Sequence, residues 1–346
     1  MAHRPTAHLV SRSLSVVAFA VPIGIVAMLP RFIGQSWAAV GALMSDVSVP
    51  ILVALAALWL AGLLVHTTVL TAALPGLSTR RALLLNLSGS AVSNLFPFGG
   101  AAGMGLGWIM TRSWRFSPAS YASFTAITNV WNVLARLMAG SALLGAALLF
   151  GLQLPAGLNG IVTVGALGMF VAMLGVVGVV VSTRIAGPVG AGIDRFGNAL
   201  LVRAGRLPRL SVRHWILVTR KESTTAVADG WTQLTVGVLT YMFLQFVLLW
   251  ACLLAVGVHA TLLAVAVTFG VERLLSVLPF TPGGSGLTEL GAVGVLVTMG
   301  VAPAEAAAGV LLYRLYMFLL EIPIGGVGAL LWLRRQRLTM RGRVAA

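Results

Sequence analysis

The chain has 346 residues, of which 59% are hydrophobic and 9% are charged, and its formal net charge is +15. Soluble domains carry roughly a quarter charged residues, so the composition excludes an ordinary water-soluble protein and indicates a polytopic membrane protein. The positive charge does not favour nucleic-acid binding, because the arginines lie in short segments between apolar runs. Lys221 is the single lysine among many arginines, which is typical of a GC-rich bacterial genome.

Eight apolar segments follow one another along the chain. Two of them, Ala82 to Thr111 and Leu262 to Met299, are broken near their middle by proline and glycine. At about 1.5 Å per residue, one continuous helix over the first would overshoot a hydrocarbon core ~30 Å thick, so two helical arms fit better. The other six are predicted full spans: Ser13 to Pro30, Pro50 to Leu74, Ser120 to Phe150, Leu158 to Val181, Thr232 to Val256 and Ala306 to Leu333.

The two broken segments indicate an internal duplication. The first breaks at Leu95 to Gly100 and the second at Val277 to Gly284. A proline opens the next apolar segment in each half, and an ionisable residue follows 18 residues later: Arg136 after Pro118, and Glu321 after Pro303. A broken segment that recurs in both halves of a membrane protein points to a transport site between the halves.

The positions of the arginines predict which loops are cytoplasmic, because short basic loops stay inside. If all eight segments crossed the membrane, the basic stretch Thr183 to Glu222 would face outward. If the two broken segments are re-entrant hairpins, every basic segment becomes cytoplasmic, including both termini. The near-neutral segments Gly151 to Asn159 and Gly300 to Pro303 then face outward.

The predicted fold class is therefore an all-α polytopic membrane protein, built as an inverted repeat with six full spans and two re-entrant helical hairpins. The first membrane repeat covers residues 1–157. The second covers residues 158–346 and contains a basic cytoplasmic loop near 182–228. The predicted location is the bacterial cytoplasmic membrane, and no feature of the sequence indicates an oligomeric state.

Ionisable groups inside a membrane are costly, so each is a candidate functional residue. Glu272 lies seven residues before Pro279 and Glu289 lies five after Gly284, which places the two carboxylates at similar depth on the two arms of one hairpin. Two close carboxylates share protons, so the pair is a candidate proton-coupling site. The alternative is a structural ion pair of Glu272 with Arg273 or Arg314.

A second set of polar residues lies on the segments that follow the two hairpins. Arg314 and Glu321 are two helical turns apart and share a face. The matching face of the earlier segment presents Asn129 and Arg136. The repeat places Arg136 opposite Glu321, either as a buried ion pair or as a substrate contact.

One specific hypothesis concerns a phosphate. The second arm of the later hairpin begins at Gly283 and Gly284, so the N-terminus of its helix points into the membrane, where an anion is favoured. Arg314 or Arg136 supplies the positive charge nearby. We therefore expect a phosphate to lie between that helix terminus and one of the two arginines.

The residues around both breaks resemble a known family. The block Pro279 to Glu289, the pair Tyr313 and Arg314, and the early residues Asn94, Pro97, Gly99 and Gly100 are similar to the lysylphosphatidylglycerol synthase transmembrane family. That family includes the flippase half of the multiple peptide resistance factor and its stand-alone homologues. The resemblance implies a lipid-translocating or lipid-handling membrane protein. An arginine expected after the early glycine pair is replaced by Gly105 to Trp108, which does not favour a lysyl-lipid substrate.

Three function classes follow. The favoured one is a lipid translocase, or flippase, whose partners are anionic phospholipid or polyprenyl-phosphate headgroups. The alternatives are an ion-coupled small-solute transporter and a membrane accessory subunit of an enzyme acting on lipid-linked substrates. No cofactor motif, metal-ligand cluster or catalytic constellation is found, so the chain is not predicted to be an enzyme. The candidate substrate or coupling residues are Glu272, Glu289, Arg314, Arg136, Glu321, Asn94, Asn129, Gly283, Gly284, Gly99 and Gly100.

Overall fold

The structure is a computed structural model that describes residues 24, 26–32, 34–95, 99–149, 156–203, 212–276 and 285–344. This part of the chain is helical and contains no β-strand. Its helices are α1 (Trp37–Ser45), α2 (Val49–Ala73), α3 (Thr79–Leu95), α4 (Gly99–Ser113), α5 (Pro118–Leu149), α6 (Ala156–Val181), α7 (Thr183–Arg203), α8 (Val212–Ala255), α9 (Leu262–Ser276), α10 (Leu287–Thr298), α11 (Pro303–Arg314) and α12 (Glu321–Val344), with a π-helical turn at Leu315–Leu319 between the last two.

Within the described residues, four stretches of helix are long and apolar enough to cross a membrane: Val49–Ala73, Pro118–Leu149, Val227–Ala255 and Pro303–Gln336. Two shorter apolar helices cover Val162–Gly178 and Leu287–Thr298. The chain is therefore an integral, multi-pass helical membrane protein, as its composition predicts. Most of the first predicted span, Ser13 to Pro30, lies outside the described residues.

Turn residues set the ends of these helices. Proline opens α5 at Pro118 and α11 at Pro303, where its fixed backbone angle suits the first turn. The hydroxyl of Ser117 accepts a hydrogen bond from the amide of Ser120 at 2.9 Å and so caps the start of α5. Gly300, at φ 91°, turns the chain between α10 and α11.

Each predicted broken segment consists of two helices that pack against each other. In the first, α3 ends at Leu95 and α4 begins at Gly99. In the second, α9 ends at Ser276 and α10 begins at Leu287. The hairpin tips, residues 96–98 and 277–284, lie outside the described residues, and with them Gly283 and Gly284.

The described residues of the predicted basic cytoplasmic loop near 182–228 are largely helical. They form α7 and the first part of α8, which runs for 44 residues. The cytoplasmic location of this segment stays a prediction. At about 1.5 Å per residue, α8 is about 66 Å long, so its first part extends beyond a hydrocarbon core ~30 Å thick.

Three helix pairs form the centre of the molecule. α2 packs against α8, α3 against α12, and α5 against α9. Glycines allow two of these contacts to be close. A Cβ added at Gly325 of α12 would run into the backbone of Leu87, and one added at Gly140 of α5 would lie 3.6 Å from the carbonyl oxygen of Gly270.

Gly325 and its neighbour Gly326 provide a direct test of the α3–α12 contact. We expect Gly325→Ala to destabilise the fold by about 1–3 kcal/mol, because the new methyl group must displace the backbone of α3. Gly326→Ala is the control, since no atom lies within 4 Å of its added Cβ and alanine favours helix. The measurement is the thermal midpoint of the purified protein, monitored by fluorescence-detected size-exclusion chromatography. Equal midpoints for the two variants would contradict the close packing of α3 on α12.

Candidate functional site

A cavity of about 360 Å³ lies where both hairpins meet the long helices, and we name it the charged cavity. Its wall combines side chains from α2, α3, α5, α8, α9, α11 and α12. The lining residues range from His66 to Glu321, so the fold brings together groups far apart in sequence. It contains six of the residues predicted from the sequence: Asn94, Asn129, Arg136, Glu272, Arg314 and Glu321.

Glu272 is held by its neighbour Arg273 in a buried ion pair. The guanidinium of Arg273 also donates to the side-chain oxygen of Gln245 at 2.9 Å and to the hydroxyl of Tyr313 at 3.1 Å. It lies over the ring of Phe269, 4.5 Å from the centroid. The partners of this guanidinium therefore offset its desolvation, which supports the structural ion pair rather than a proton site at Glu272.

Glu289 is held in a second ion pair, with Arg314. The Nε of Arg314 donates to Glu289 Oε1 at 2.6 Å, and an Nη donates to the hydroxyl of Ser285 at 3.3 Å. Glu289 Oε2 accepts from the backbone amide of Gly286 at 2.6 Å and from the hydroxyl of Thr288 at 2.9 Å. Glu289 thus caps the start of α10 by accepting from the amide of the N-cap residue Gly286, at a helix end where a negative charge is favoured.

The two carboxylates predicted as a coupled pair are therefore bound to separate arginines. Glu272 lines the charged cavity, whereas Glu289 lies outside its lining and reaches the wall through Arg314. The geometry favours two structural ion pairs over one shared proton. Breaking either pair would leave a buried charge without compensation.

Arg136 differs from the other two arginines of the wall. Among the described residues it forms no ion pair, and its buried Nε has no hydrogen-bond partner. The closest charges that act on it are those of Arg273 and Glu272, which already neutralise each other. Arg136 is therefore a guanidinium on a cavity wall that is not satisfied by the protein groups described.

Glu321 lies on the same cavity wall as Arg136, but the expected ion pair between them is not formed within the described residues. Glu321 instead accepts a hydrogen bond from the hydroxyl of Ser90 and lies near Arg314. The π-helical turn Leu315–Leu319, closed by a 2.8 Å bond from Leu320 N to Leu315 O, explains part of the difference. It adds a residue to the turn before Glu321, so the equal offsets from Pro118 and Pro303 do not put Arg136 and Glu321 at equivalent positions around their helices.

The early glycine pair lies at the first hairpin tip. Gly99 is buried, and a Cβ at this position would run into the backbone of Ser93, so glycine permits α3 and α4 to meet here. Gly100 is exposed and lines a second cavity of about 330 Å³. Asn94 and Asn129 line both cavities.

Ser90 and Gln245 are among the residues of the site that the sequence analysis did not single out, and the role of Arg273 as a hydrogen-bond centre was also not predicted. Gln245 is a buried carboxamide inside the apolar span of α8. A polar side chain in such a span is itself a signal of function or of a buried partner, and it would have identified this residue. Ser90 carries no such signal, because small hydroxyl residues are common in membrane helices.

The model of the lysylphosphatidylglycerol synthase TM region matches residues 15–325. The chain belongs to the lysylphosphatidylglycerol synthase transmembrane family. The matched region of this family member includes both hairpins and every residue of the charged cavity, so the cavity is part of the family domain. The resemblance inferred from the sequence is confirmed. No curated protein and no solved structure matches the chain significantly.

The ion pair between Glu289 and Arg314 predicts a stability effect. We expect Glu289→Gln to destabilise the protein by about 3–5 kcal/mol, because it leaves the buried guanidinium without its carboxylate. The double variant Glu289→Gln with Arg314→Gln should recover part of this loss. Asp46→Asn, at an exposed carboxylate beyond α1, is the control and should change stability little. The measurement is the thermal midpoint of the parental protein, of the two single variants Glu289→Gln and Arg314→Gln, of the double variant and of the control. Purely additive effects of the two single variants would argue against the ion pair.

Proposed function

We propose that this family member is a lipid translocase, not an enzyme, and that it moves a phosphate-bearing phospholipid or polyprenyl-phosphate-linked lipid across the bacterial cytoplasmic membrane. The observation that carries the proposal is Arg136, a guanidinium without an ion pair among the described residues, on the wall of a polar cavity in a membrane protein. In this proposal the protein's partners are membrane lipids, and nucleic acid is not among them.

Arg136 is suited to a phosphate by its chemistry. A guanidinium binds two phosphate oxygens through parallel hydrogen bonds, and such charge-assisted bonds are about twice as strong as neutral ones. Burying an arginine in a membrane costs several kcal/mol unless an anion or water compensates it. A lipid phosphate in the charged cavity supplies that anion. Arg314 was the other candidate, but its Nε is occupied by Glu289.

The second cavity supports a lipid rather than a small solute as cargo. It adjoins the charged cavity and is lined by Gly100 and Met104 of α4, both of which are exposed. Met104 is 46% exposed, so the cavity reaches the flank of the protein beside the apolar surface of α4. A lipid whose headgroup occupies the cavities can keep its acyl chains outside, in the hydrocarbon core.

An inverted repeat would allow the site to open alternately to each side of the membrane. The packing supports this proposal, because two of the main helix contacts become each other when the halves are exchanged. The first arm of each hairpin packs against the long helix that follows the other hairpin: α3 against α12, and α9 against α5. Gly140 and Gly325, at these two contacts, each lie 22 residues after the proline that opens the helix, Pro118 or Pro303. We propose that two re-entrant hairpins and six full spans build this repeat, with both termini in the cytoplasm.

Cysteine accessibility tests the two hairpins. If they are re-entrant, the loops at the two ends of each hairpin lie on the same side of the membrane. In a Cys252→Ser background, we expect Gly76→Cys and Ser117→Cys to react with an impermeant maleimide from the cytoplasm only. His259→Cys and Ala302→Cys should react from outside only. If the cysteines at the two ends of either hairpin react from opposite sides, the arms of that hairpin together cross the membrane.

Arg136→Gln tests the phosphate site. We expect this change to lower headgroup translocation in proteoliposomes at least about a hundredfold, since one charge-assisted contact to a buried anion contributes about 3 kcal/mol. Its thermal stability should not fall, because no carboxylate among the described residues loses a partner. Arg136→Lys should retain part of the activity.

Two controls distinguish this result from a general loss of structure. Arg31→Gln removes an exposed arginine outside the cavity and should leave both translocation and stability unchanged. Arg273→Gln should lower stability strongly, because it orphans the buried Glu272. Parental translocation by a folded Arg136→Gln variant would rule out the proposed site.

A further inference from the structure

The second cavity differs from the charged cavity in its chemistry. The two share a boundary formed by polar side chains, and beyond that boundary the described wall of the second cavity carries no Asp, Glu, Lys or Arg. The boundary residues are His66, Asn86, Ser90, Asn94, Asn129 and Asn132. A ligand that spans both cavities therefore meets a charged region on one side and a neutral, hydrogen-bonding region on the other.

The amide side chains at the boundary present acceptors and donors to the cavities. The Nδ2 atoms of Asn129 and Asn132 donate to backbone carbonyls one turn earlier, at 2.7 and 2.8 Å, so the helix occupies one of the two N–H donors of each amide. The second N–H and the amide oxygen of each side chain are its remaining polar groups. No hydrogen bond to another described residue occupies the side chains of Asn86 or Asn94. Side-chain amides with unoccupied polar atoms suit a ligand group that both donates and accepts hydrogen bonds, as a hydroxyl does.

His66 is a further buried side chain at the boundary whose polar atoms require a hydrogen-bond partner. Its ring stacks on Tyr241, with 4.5 Å between the centroids. Neither ring nitrogen has a partner of normal hydrogen-bond geometry within the described structure, although the side chain of Asn132 lies beside the ring. A buried polar atom without a partner is unfavourable, and a ligand hydroxyl at the boundary would satisfy it.

We infer that the second cavity binds a neutral, hydroxyl-rich headgroup, such as a glycerol, a cyclitol or a sugar, joined to the phosphate held by Arg136. This inference rests on the proposed function and specifies its substrate class. A headgroup with an ammonium group would require a carboxylate or an aromatic cage in this cavity. The described wall provides no carboxylate, and the rings of Tyr121 and Phe124 in it pack against each other with 5.9 Å between their centroids. The neutral wall instead offers amides and hydroxyls to a neutral polyol.

Two glycines keep this cavity open. Gly89 of α3 and Gly100 of α4 line it, and no atom lies within 4 Å of a Cβ added at either position. A leucine at Gly89 therefore occupies open space in the cavity rather than displacing packed atoms. The same change favours the helix, since glycine is a poor helix former. Gly89→Leu is thus a variant that fills the cavity and retains the fold.

The test measures binding of dioctanoyl lipids to the purified full-length protein. The probes are phosphatidylinositol, with a phosphate and a neutral polyol, phosphatidic acid, with a phosphate alone, and phosphatidylethanolamine, with a phosphate and an ammonium group. We expect the parental protein to bind phosphatidylinositol about tenfold or more tighter than phosphatidic acid, since a few neutral hydrogen bonds contribute this much. Gly89→Leu should remove that difference and leave phosphatidic acid binding unchanged.

Gly105→Leu is the matched control, because Gly105 lies on α4 with open space around its Cβ and lines neither cavity. It should keep the preference for phosphatidylinositol. If Gly89→Leu fails to fold, Gly100→Leu fills the cavity from the other arm and must give the same loss. Equal binding of phosphatidylinositol and phosphatidic acid by the parental protein, or a preference for phosphatidylethanolamine, overturns the inference but not the phosphate site. If the parental protein binds none of the three lipids, the proposed function itself is overturned.

Discussion

The cost of placing charge inside a membrane organises this structure. A buried guanidinium or carboxylate is tolerated where a partner compensates it, and the described core contains two such pairs, Glu272 with Arg273 and Glu289 with Arg314. Both pairs belong to the second hairpin and its neighbours, so they fix the position of α9 and α10 against α8 and α11. The third arginine of the wall, Arg136, forms no such pair among the described residues. This contrast is the reason that we propose its guanidinium as a ligand site.

The same constraint links packing to the site. α3 approaches α12 closely enough that glycine is required at Gly325, and at this contact Ser90 donates to Glu321. On the other side, α5 carries Arg136 and meets α9 through Gly140. Each hairpin thus contacts the long helix of the other half at the cavity wall. A shift of one half against the other would change the shape of the cavity, which is the movement that alternating access requires.

Sequence reasoning predicted the parts of this arrangement that depend on the free-energy cost of charge in a membrane and on the periodicity of helices. An arginine or glutamate in an apolar run is conspicuous, and Arg136, Glu272, Arg314 and Glu321 were all found in this way. The breaks were equally visible, because proline and glycine interrupt helices wherever they fall. The family was recognised from residues at those same breaks.

The partners of these groups were harder to predict. Helical spacing aligned Arg314 with Glu321, but the π-helical turn between them changes the register, and no sequence rule indicates such a turn. Arg136 was expected to pair with Glu321 because the repeat places them at equal offsets. An equal offset shows equivalence between halves, and it does not measure the distance between side chains.

The central claim is that the Arg136 guanidinium holds the phosphate of a membrane lipid. Native mass spectrometry of the protein released from nanodiscs of bacterial lipid measures this directly, since a retained lipid appears as a defined mass. The account predicts that the parental protein retains a phosphate-bearing lipid and that folded Arg136→Gln loses it. Retention of the same lipid, in the same proportion, by both proteins would contradict the account.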